Sequence, residues 1–295
     1  MDRCVAIASC DLFAPDGYRE DRVLLDALAA VGVAAEIQSW SDPAVDWDRY
    51  GLTVLRSTWD YTSRRSDFLA WAERVPRLAN PAAVVRANSD KRYLAALQDA
   101  GIPVVPTTFF GPDEQVQLPG GGEFVIKPSV GAGSRGAGRF DAAVPGDLAD
   151  AAKHAEHLQG DGRTVMVQPY LTDVDAIGET ALIFIEGRFS HAICKSALLP
   201  PDTRFQLTEP GKASESLFIE ESISPRVPSA AEREVAERVL AHAVTEPLLY
   251  ARVDLLPGPD GPVLIELELT EPSLFLEFDE AAPARLAGAI VARLG

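Results

Sequence analysis

Charged residues alternate with apolar residues in two segments near the end of the chain. The charged positions are Arg252, Asp254, Glu266 and Glu268. Alternate residues of a β-strand share one face, so both segments are typical of strands whose charges lie on the same face of a sheet. Like charges opposite each other destabilise a strand pair unless a positive charge lies between them. Because hard carboxylate oxygens suit Mg²⁺, we predict that Asp254, Glu266 and Glu268 are metal ligands.

The register of these two strands decides which charges meet. If Leu256 pairs with Leu264, Asp254 lies opposite Glu266, and Arg252 lies opposite the other glutamate. The alternative interpretation is an acidic strand that faces solvent and is balanced by Arg252.

A second segment is suited to binding phosphate. An apolar stretch ends in Lys127, and a loop with glycines at 131, 133, 136 and 138 follows directly. Glycines let backbone N–H groups approach phosphate oxygens, and a lysine adds a point charge. The order differs from that of a P-loop, in which the lysine follows the glycines. A hairpin turn with a surface lysine is the alternative.

A third segment, residues 165–171, is an apolar strand that ends in a polar kink at Gln168 and Pro169. Such a hinge can offer backbone N–H and C=O groups to a flat base, while Tyr170 and Leu171 pack beside it. An ordinary strand end is the alternative.

A fourth group of polar residues follows a short apolar strand and therefore lies at its carboxyl end, where open α/β sheets form ligand crevices. Arg56 could clamp the carboxylate of an amino acid there. Thr58, Trp59 and Tyr61 could shape the same pocket. For Trp59, packing at a domain interface is an equal alternative.

Composition narrows the class of protein. The 295 residues are 47% hydrophobic and 24% charged, as in ordinary globular proteins. The net charge of −17 disfavours a nucleic-acid partner, because phosphate meets repulsion over most of the surface. Cys4, Cys10 and Cys194 have no metal-ligand or redox spacing and fit reduced thiols. No apolar run approaches the roughly 20 residues of a membrane span, so we expect a cytoplasmic protein with no membrane partner.

The elements that must position these residues alternate between strands and helices up to about residue 75. This alternation favours a small parallel sheet covered by helices. The strands are predicted at 4–9, 33–37 and 52–55, and the helices at 20–31 and 65–74.

The pattern changes after Asn80. A helix is predicted from Ser89, as its N-cap, to about Ala100, beside a domain boundary near 85–105. Residues 199–216 are polar without periodicity, which predicts a mobile loop. The other predicted elements are strands at 123–127, 164–168, 178–186 and 189–195, helices at 147–158, 229–243 and 282–294, and a last strand pair.

The order of these motifs resembles the ATP-grasp superfamily over about residues 88–280, in the branch that contains bacterial glutathione synthetase. The resemblance is carried by Lys91, Lys127-Pro128, the Gly-rich loop, residues 168–171, Gly178-Glu179, Asp254, Glu266 and Glu268. Residues 56–61, 88–94 and 266–269 are similar to the cyclo-ligase family of D-cycloserine biosynthesis.

This resemblance implies an α/β fold, α+β in its C-terminal part, with three parts. Residues 1–88 would form a substrate-side α/β domain, and residues 89–167 a central ATP-grasp subdomain with a Gly-rich lid. Residues 168–295 would form the metal-binding subdomain. A homodimer is expected at the level of the family only.

The resemblance also implies the cofactors ATP and Mg²⁺ and a set of site roles. Nucleotide contacts are implied for Lys91, Lys127, Ser129, Gly131, Gly133, Ser134, Gln168, Pro169, Tyr170, Leu171 and Glu179. Arg204 resembles a contact to the substrate or the acyl phosphate, and Arg252 and Lys195 are placed to steady the transferred phosphoryl group. An ordinary surface charge is the alternative for each of these three. Glu268 departs from the branch, which has Asn as its last metal ligand, and adds negative charge.

The implied activity is that of an ATP- and Mg²⁺-dependent carbon–nitrogen ligase acting on a small amino-acid-like carboxylate through an acyl phosphate. The cyclo-ligase similarity implies closure of O-ureidoserine to cycloserine, with release of ADP, phosphate, CO₂ and NH₃. Two alternatives remain: an intermolecular amino-acid or dipeptide ligase on the same scaffold, and a nucleotide-binding module without turnover.

Overall fold

The computed structural model describes residues 4–197, 199, 222–245 and 247–295, which form three sheets flanked by helices. The mixed α/β fold class expected from the sequence is confirmed. The loop predicted at 199–216, apart from Leu199, lies outside the described residues, and so does Arg204. Within the described ranges, no helix is long and apolar enough to cross a membrane.

The N-terminal sheet is parallel and has the strand order β2-β1-β3-β4. Its strands are β1 (Val5–Ser9), β2 (Ala35–Ser39), β3 (Leu52–Leu55) and β4 (Leu78–Ala79), and its helices are α1 (Arg19–Ala30), α2 (Arg65–Arg74) and α3 (Ala82–Asn88). The central strand β1 is buried along its whole length, as a continuous apolar run predicts for a sheet with helices nearby. The predicted alternation is confirmed, and β4 and α3 add to it.

The second sheet is antiparallel and has the order β5-β8-β6-β7. Helix α4 (Tyr93–Asp99) precedes it, and its elements are β5 (Thr108–Phe110), β6 (Glu123–Pro128), β7 (Gly138–Asp141), α5 (Asp147–Gly160) and β8 (Val165–Pro169). Side chains of β6, β7 and α5 form one buried cluster that includes Phe124, Phe140 and Leu158. A Cβ on Gly138 would lie 2.8 Å from the Phe140 ring, so the Gly-rich loop must enter β7 with a glycine.

The third sheet is antiparallel and has the order β11-β10-β9-β12-β13. Its elements are α6 (Val174–Ile177), β9 (Glu179–Ile185), β10 (Arg188–Lys195), β11 (Ile223–Pro225), α7 (Ala230–Ala243), β12 (Tyr250–Gly258), β13 (Gly261–Glu268) and α8 (Ala282–Leu294). A capping box starts α7, in which Ser229 accepts from the Glu232 N–H and Glu232 accepts from the Ser229 N–H.

One hydrophobic cluster joins the two ends of the chain. It contains Ile7 and Leu24 of the N-terminal sheet layer, Ile183 of β9, and Leu286 and Ile290 of α8, all fully buried. The C-terminal helix therefore covers the N-terminal sheet as well as the third sheet. The division at residues 88 and 167 remains a prediction, and this shared core crosses it.

The helix predicted from Ser89 is wrong in its start. Ser89 is the C-cap of α3, and the next helix, α4, begins at Tyr93. The Asp90 carboxylate accepts from the backbone N–H of Arg92, and the Lys91 N–H donates to the carbonyl of Ser129. These bonds hold residues 89–92 as a turn between helices.

The assumed pairing of Leu256 with Leu264 is also wrong, although the charge pairs derived from it are present. Leu255, not Leu256, pairs with Leu264, and the register then shifts at a bulge after Asp254. Beyond the bulge, Asp254 therefore lies opposite Glu266, and Arg252 lies opposite Glu268, as predicted. A β-bulge places two residues against one, so it corrects a register that is off by one.

Candidate active site

Two adjoining cavities, of about 150 and 330 Å³, lie between the Gly-rich loop and the end of β13. The smaller cavity reaches β8 and β9, whereas the larger one reaches Trp59 and Tyr61 of the N-terminal part. Their shared lining residues are Lys91, Gly131, Ala132, Gly133, Arg135, Glu266 and Glu268. A ligand in one cavity therefore contacts residues that also face the other.

The smaller cavity contains most of the residues predicted to contact a nucleotide. Those that line it are Lys91, Lys127, Gly131, Gly133, Ser134, Gln168, Pro169, Tyr170, Leu171 and Glu179. Ser129 is buried outside the walls that the described residues form, and its carbonyl accepts the Lys91 N–H at 2.8 Å. This hydrogen bond to Ser129 therefore helps to fix the turn at residues 89–92, which carries Lys91.

Two lysines enter the smaller cavity from different elements. Burial lowers the pKa of Lys127 to about 8. The negative charge of Glu266 opposes this shift, and the positive charge of Lys91 adds to it. Burial also opposes the charge of Lys91, but its Nζ lies 2.9 Å from a carboxylate oxygen of Glu266, and the net effect raises its pKa. Glu266 therefore keeps Lys91 in its charged form. An anionic ligand would do the same for Lys127, because a nearby negative charge favours the ammonium form.

The Gly-rich loop is fixed at both of its sides. Ser134 adopts a left-handed conformation with φ of 56° between glycines, which turns the loop back toward β7. On one side, Nε2 of His154 lies 2.9 Å from the carbonyl oxygen of Gly136. On the other, Nη2 of Arg135 donates to the carbonyl of Trp59 at 2.7 Å and to the Thr62 hydroxyl at 3.1 Å.

The segment after β8 supplies an apolar and aromatic wall. The Gln168 side-chain amide donates to the Thr107 hydroxyl at 2.8 Å, so this side chain has a structural contact within the protein. The Tyr170 ring carries the Arg139 guanidinium 3.5 Å from its centroid, and its hydroxyl donates to Asp175. These contacts set a rigid edge beside the cavity, which suits a planar base.

A buried network of charges occupies β9, β10 and β12. The Asp254 carboxylate accepts from Arg252 at 2.8 Å and from Lys195 at 3.0 Å, and Lys195 also pairs with Glu179. Burial opposes the charge of Asp254, but Arg252 and then Lys195 hold its pKa well below the usual range. Burial raises the pKa of Glu179 to about 7, against Lys195.

The predicted metal ligands do not form a ready-made metal cluster. Over the described residues, no group of three or more His, Cys, Asp or Glu could hold a metal ion. Each acid faces a cation instead: Glu266 pairs with Lys91 at 2.9 Å, and Glu268 with Arg252 at 2.5 Å. Burial raises the pKa of Glu268 to about 8.

The donor set fits a divalent ion in part. Glu266 and Glu268 line both cavities and present the carboxylate oxygens that hard cations prefer. Asp254 is 1% exposed, is absent from the walls formed by the described residues, and has both oxygens bonded to cations. Two of the three predicted metal ligands, Glu266 and Glu268, thus lie where the cavities meet, and Asp254 lies beside them; the assignment of all three to a metal ion stays a prediction.

The predicted substrate residues divide into two groups. Trp59 and Tyr61 line the larger cavity, as do Arg252 and Lys195. The assignments of Arg56 as a carboxylate clamp and of Thr58 as a pocket residue are wrong for this structure. Arg56 is 2% exposed, pairs with Glu20 and donates to the Pro272 carbonyl at 2.8 Å, and Thr58 is fully buried.

Several lining residues of the larger cavity were missed from the sequence. They are Tyr18, Arg19, Asn88, Arg135, Glu271, Ser273 and Phe275. Arg135 lies inside the Gly-rich segment, so its position in a phosphate-type loop was a usable signal. The others come from separate parts of the chain and meet only when it folds. Burial raises the pKa of the Glu271 carboxyl to about 7.

Comparisons with known proteins show the family of this chain. Residues 5–80 match the family model of the N-terminal domain of the D-cycloserine synthetase DcsG. The cycloserine biosynthesis protein DcsG of Streptomyces lavendulae is 38% identical over 289 residues, covering 92% of each chain. The crystal structure of D-cycloserine synthetase DcsG superposes with a TM-score of 0.85 at 36% identity, over 99% of this chain and 100% of that one.

More distant structures share the fold alone. A RimK domain ATP-grasp protein from Sphaerobacter thermophilus superposes with a TM-score of 0.65 at 19% identity, over 98% of each chain. A D-alanine–D-alanine ligase from Bacillus anthracis gives a TM-score of 0.64 at 12% identity, over 98% of this chain and 96% of that one.

Proposed function

Since this chain belongs to the family of the cycloserine biosynthesis protein DcsG and is an ATP-grasp ligase, we propose that it closes O-ureidoserine to cycloserine at the expense of ATP. The carboxylate would be phosphorylated, and the nitrogen bonded to the side-chain oxygen would attack the acyl phosphate. Water would then release the ureido carbon as CO₂ and NH₃, beside ADP and phosphate. The observation that carries this proposal is the pair of cavities with a common wall of lysine and acids.

ATP would occupy the smaller cavity. The edge formed by residues 168–171 suits the base, and Lys127 with the Gly-rich loop suits the phosphates. The terminal phosphate would then lie toward Lys91 and Glu266, which face both cavities. Lys91 is charged and fixed before any ligand arrives, so it needs little reorganisation to meet phosphate.

Mg²⁺ is the divalent ion that we propose for this site, with Glu266 and Glu268 as its protein ligands. Negative charge on the transferred phosphoryl group would be neutralised in part by bound Mg²⁺. Asp254 would act through the two cations that it holds, since Arg252 and Lys195 both line the substrate cavity. These cations would orient the substrate carboxylate for in-line attack.

The larger cavity would hold the amino-acid-like substrate against Trp59 and Tyr61. Arg135 ties the Gly-rich loop to the Trp59 carbonyl, so the loop that covers the phosphates also closes one side of this cavity. Exclusion of water there would protect the acyl phosphate from hydrolysis. When both reacting groups belong to one bound molecule, attack gains from proximity.

Turnover assays separate this function from its alternatives. The protein is incubated with ATP, Mg²⁺ and single or paired amino acids, O-ureidoserine among them, while ADP and cycloserine are measured. The proposal requires ADP and cycloserine in equal amounts from O-ureidoserine alone. ADP only with paired amino acids would instead identify an intermolecular ligase. Nucleotide binding without ADP from any substrate would identify a module without turnover.

A further inference from the structure

Glu271 is an acid of the larger cavity to which the proposed reaction assigns no part. It follows β13 by three residues, lines the cavity and is 8% exposed. It stands beside Tyr61 and Trp59, which come from the opposite end of the sequence. A nearly buried carboxylate that faces a cavity of about 330 Å³ needs a polar partner, because an unpaired buried charge is costly.

Three contacts from one short N-terminal segment hold Glu271 in place. The Tyr61 hydroxyl lies beside the Glu271 carboxyl and lowers the pKa of that carboxyl, against the larger effect of burial. The Trp59 indole N–H donates to the Glu271 backbone carbonyl at 3.1 Å, and Arg56 donates to the next carbonyl, that of Pro272. The carboxylate is therefore presented to the cavity with little freedom to move.

The other acids of this cavity already face cations. Glu266 pairs with Lys91, and Glu268 pairs with Arg252. Across the part of the chain that the structure describes, no Lys, Arg or His nitrogen lies within 4.0 Å of a Glu271 carboxylate oxygen. Lys91 lowers the pKa of Glu271 from a greater distance, but burial outweighs this effect and keeps that pKa at about 7. A cation of the ligand beside the carboxylate would favour its charged form, and an amino acid carries such a cation in its α-ammonium group.

We propose that Glu271, held by Tyr61, binds the α-ammonium group of the substrate and makes the enzyme selective for α-amino acids over carboxylates that lack the amino group. This inference rests on the proposed function, which supplies an amino-acid substrate. The substrate would lie with its carboxylate toward Arg252 and Lys195 and its ammonium toward Glu271.

The test compares two ligands that differ by one amino group: O-ureidoserine and 3-(ureidooxy)propanoate. Their Kd values are measured by calorimetry with ADP and Mg²⁺ present, in the wild type and in Glu271→Gln. The wild type should bind O-ureidoserine about tenfold to a hundredfold more tightly, as expected for one charge-assisted hydrogen bond. Glu271→Gln should bring the two Kd values within about threefold of each other, with the Kd for ADP unchanged.

Two further variants separate binding from folding. Tyr61→Phe keeps the carboxylate and loses its support, so the preference should fall by a smaller factor. Glu280→Gln makes the same change of charge at an exposed position of the surface and should leave the preference intact. Thermal unfolding of all variants checks that the fold survives the substitutions.

The outcomes distinguish this inference from the proposed reaction. An unchanged preference in Glu271→Gln would overturn the ammonium role, even if cycloserine is made. A preference that is present in the wild type and lost in Glu271→Gln, in a protein that makes no cycloserine, would support the role of Glu271 and refute the cyclisation. If the wild type does not bind O-ureidoserine at all, both ideas fail.

Discussion

Nucleotide affinity should depend on the ionisation of Lys127. Burial lowers the pKa of its ammonium group to about 8, and Lys91 nearby adds to the effect. The charged form is the one that attracts phosphate. Because the depressed pKa belongs to the unliganded protein, raising the pH through 8 removes the charge before a nucleotide can bind. Affinity should therefore be full below this pH and should fall above it.

The size of the effect follows from the fraction of Lys127 that is charged. With a pKa of about 8, this fraction falls from about three quarters at pH 7.5 to about 3% at pH 9.5. If the neutral form does not bind phosphate, Kd for ADP should rise about twentyfold to thirtyfold over this range. A lysine at its ordinary pKa of about 10.4 would change Kd by little more than a tenth.

Calorimetric titration of ADP with Mg²⁺ measures this dependence without the amino-acid substrate, so the substrate assignment does not enter. Lys127→Arg keeps a charge at all of these pH values, and its Kd should stay flat within about threefold. In the wild type at pH 8, two buffers of different ionisation enthalpy should report uptake of about half a proton per ADP bound. A flat wild-type profile, or equal slopes in both proteins, would refute the assignment of Lys127 to the phosphates.

Three other substitutions test neighbouring parts of the site. Glu266→Gln removes a proposed metal ligand and the partner of Lys91, so ADP formation should fall by at least about a hundredfold while the circular dichroism spectrum shows an intact fold; full activity would exclude Glu266 from the metal site. Arg135→Ala frees the Gly-rich loop from Trp59 and should raise KM for both ATP and the amino acid, whereas a change in only one would contradict the shared wall. Asn80→Ala loses three buried hydrogen bonds at a φ of 58° and should cost about 3 kcal/mol in urea unfolding, whereas Asn80→Gly, which tolerates that φ, should cost less.

The charged strands show what sequence periodicity can and cannot supply. Alternation in β12 and β13 correctly indicated a shared face, because the period of a strand is two residues. The bulge after Asp254 could not be read from the sequence, since every residue around it is compatible with a regular strand. The predicted charge pairs survived only because an error of one residue in the register was cancelled by that bulge.

Capping and charge pairing were harder to predict because both depend on partners elsewhere. Asn88, Ser89 and Asp90 are all residues that start or end helices, and the sequence does not say which of the two they do here. Arg56 was correctly placed at the carboxyl end of a strand, but its guanidinium group forms an ion pair with Glu20 and is not available to a substrate. That partner lies 36 residues earlier in the chain. Glu271 enters the cavity only because the N-terminal segment packs against it.

Contacts at the outer edge of β13 hold Glu266 and Glu268 at a fixed position relative to Lys91. β13 is the last strand of its sheet, and such an edge exposes unpaired backbone groups. Here the side chain of Asn88 donates to the Leu267 carbonyl and accepts from the Leu269 N–H, both at 2.7 Å. The Tyr93 hydroxyl bonds both backbone groups of Leu267, at 2.8 and 2.9 Å.

These two side chains flank the turn that carries Lys91. The strand that presents Glu266 and Glu268 is therefore fixed to Lys91, the lysine that we propose to meet the phosphate, through residues 88–93, and Lys91 Nζ also donates to the Gly131 carbonyl of the Gly-rich loop at 2.7 Å. Rigid positioning of charge before the substrate arrives is the chief source of catalysis in phosphoryl transfer. The acids, Lys91 and the first glycine of the Gly-rich loop therefore form one connected set of contacts before any nucleotide binds.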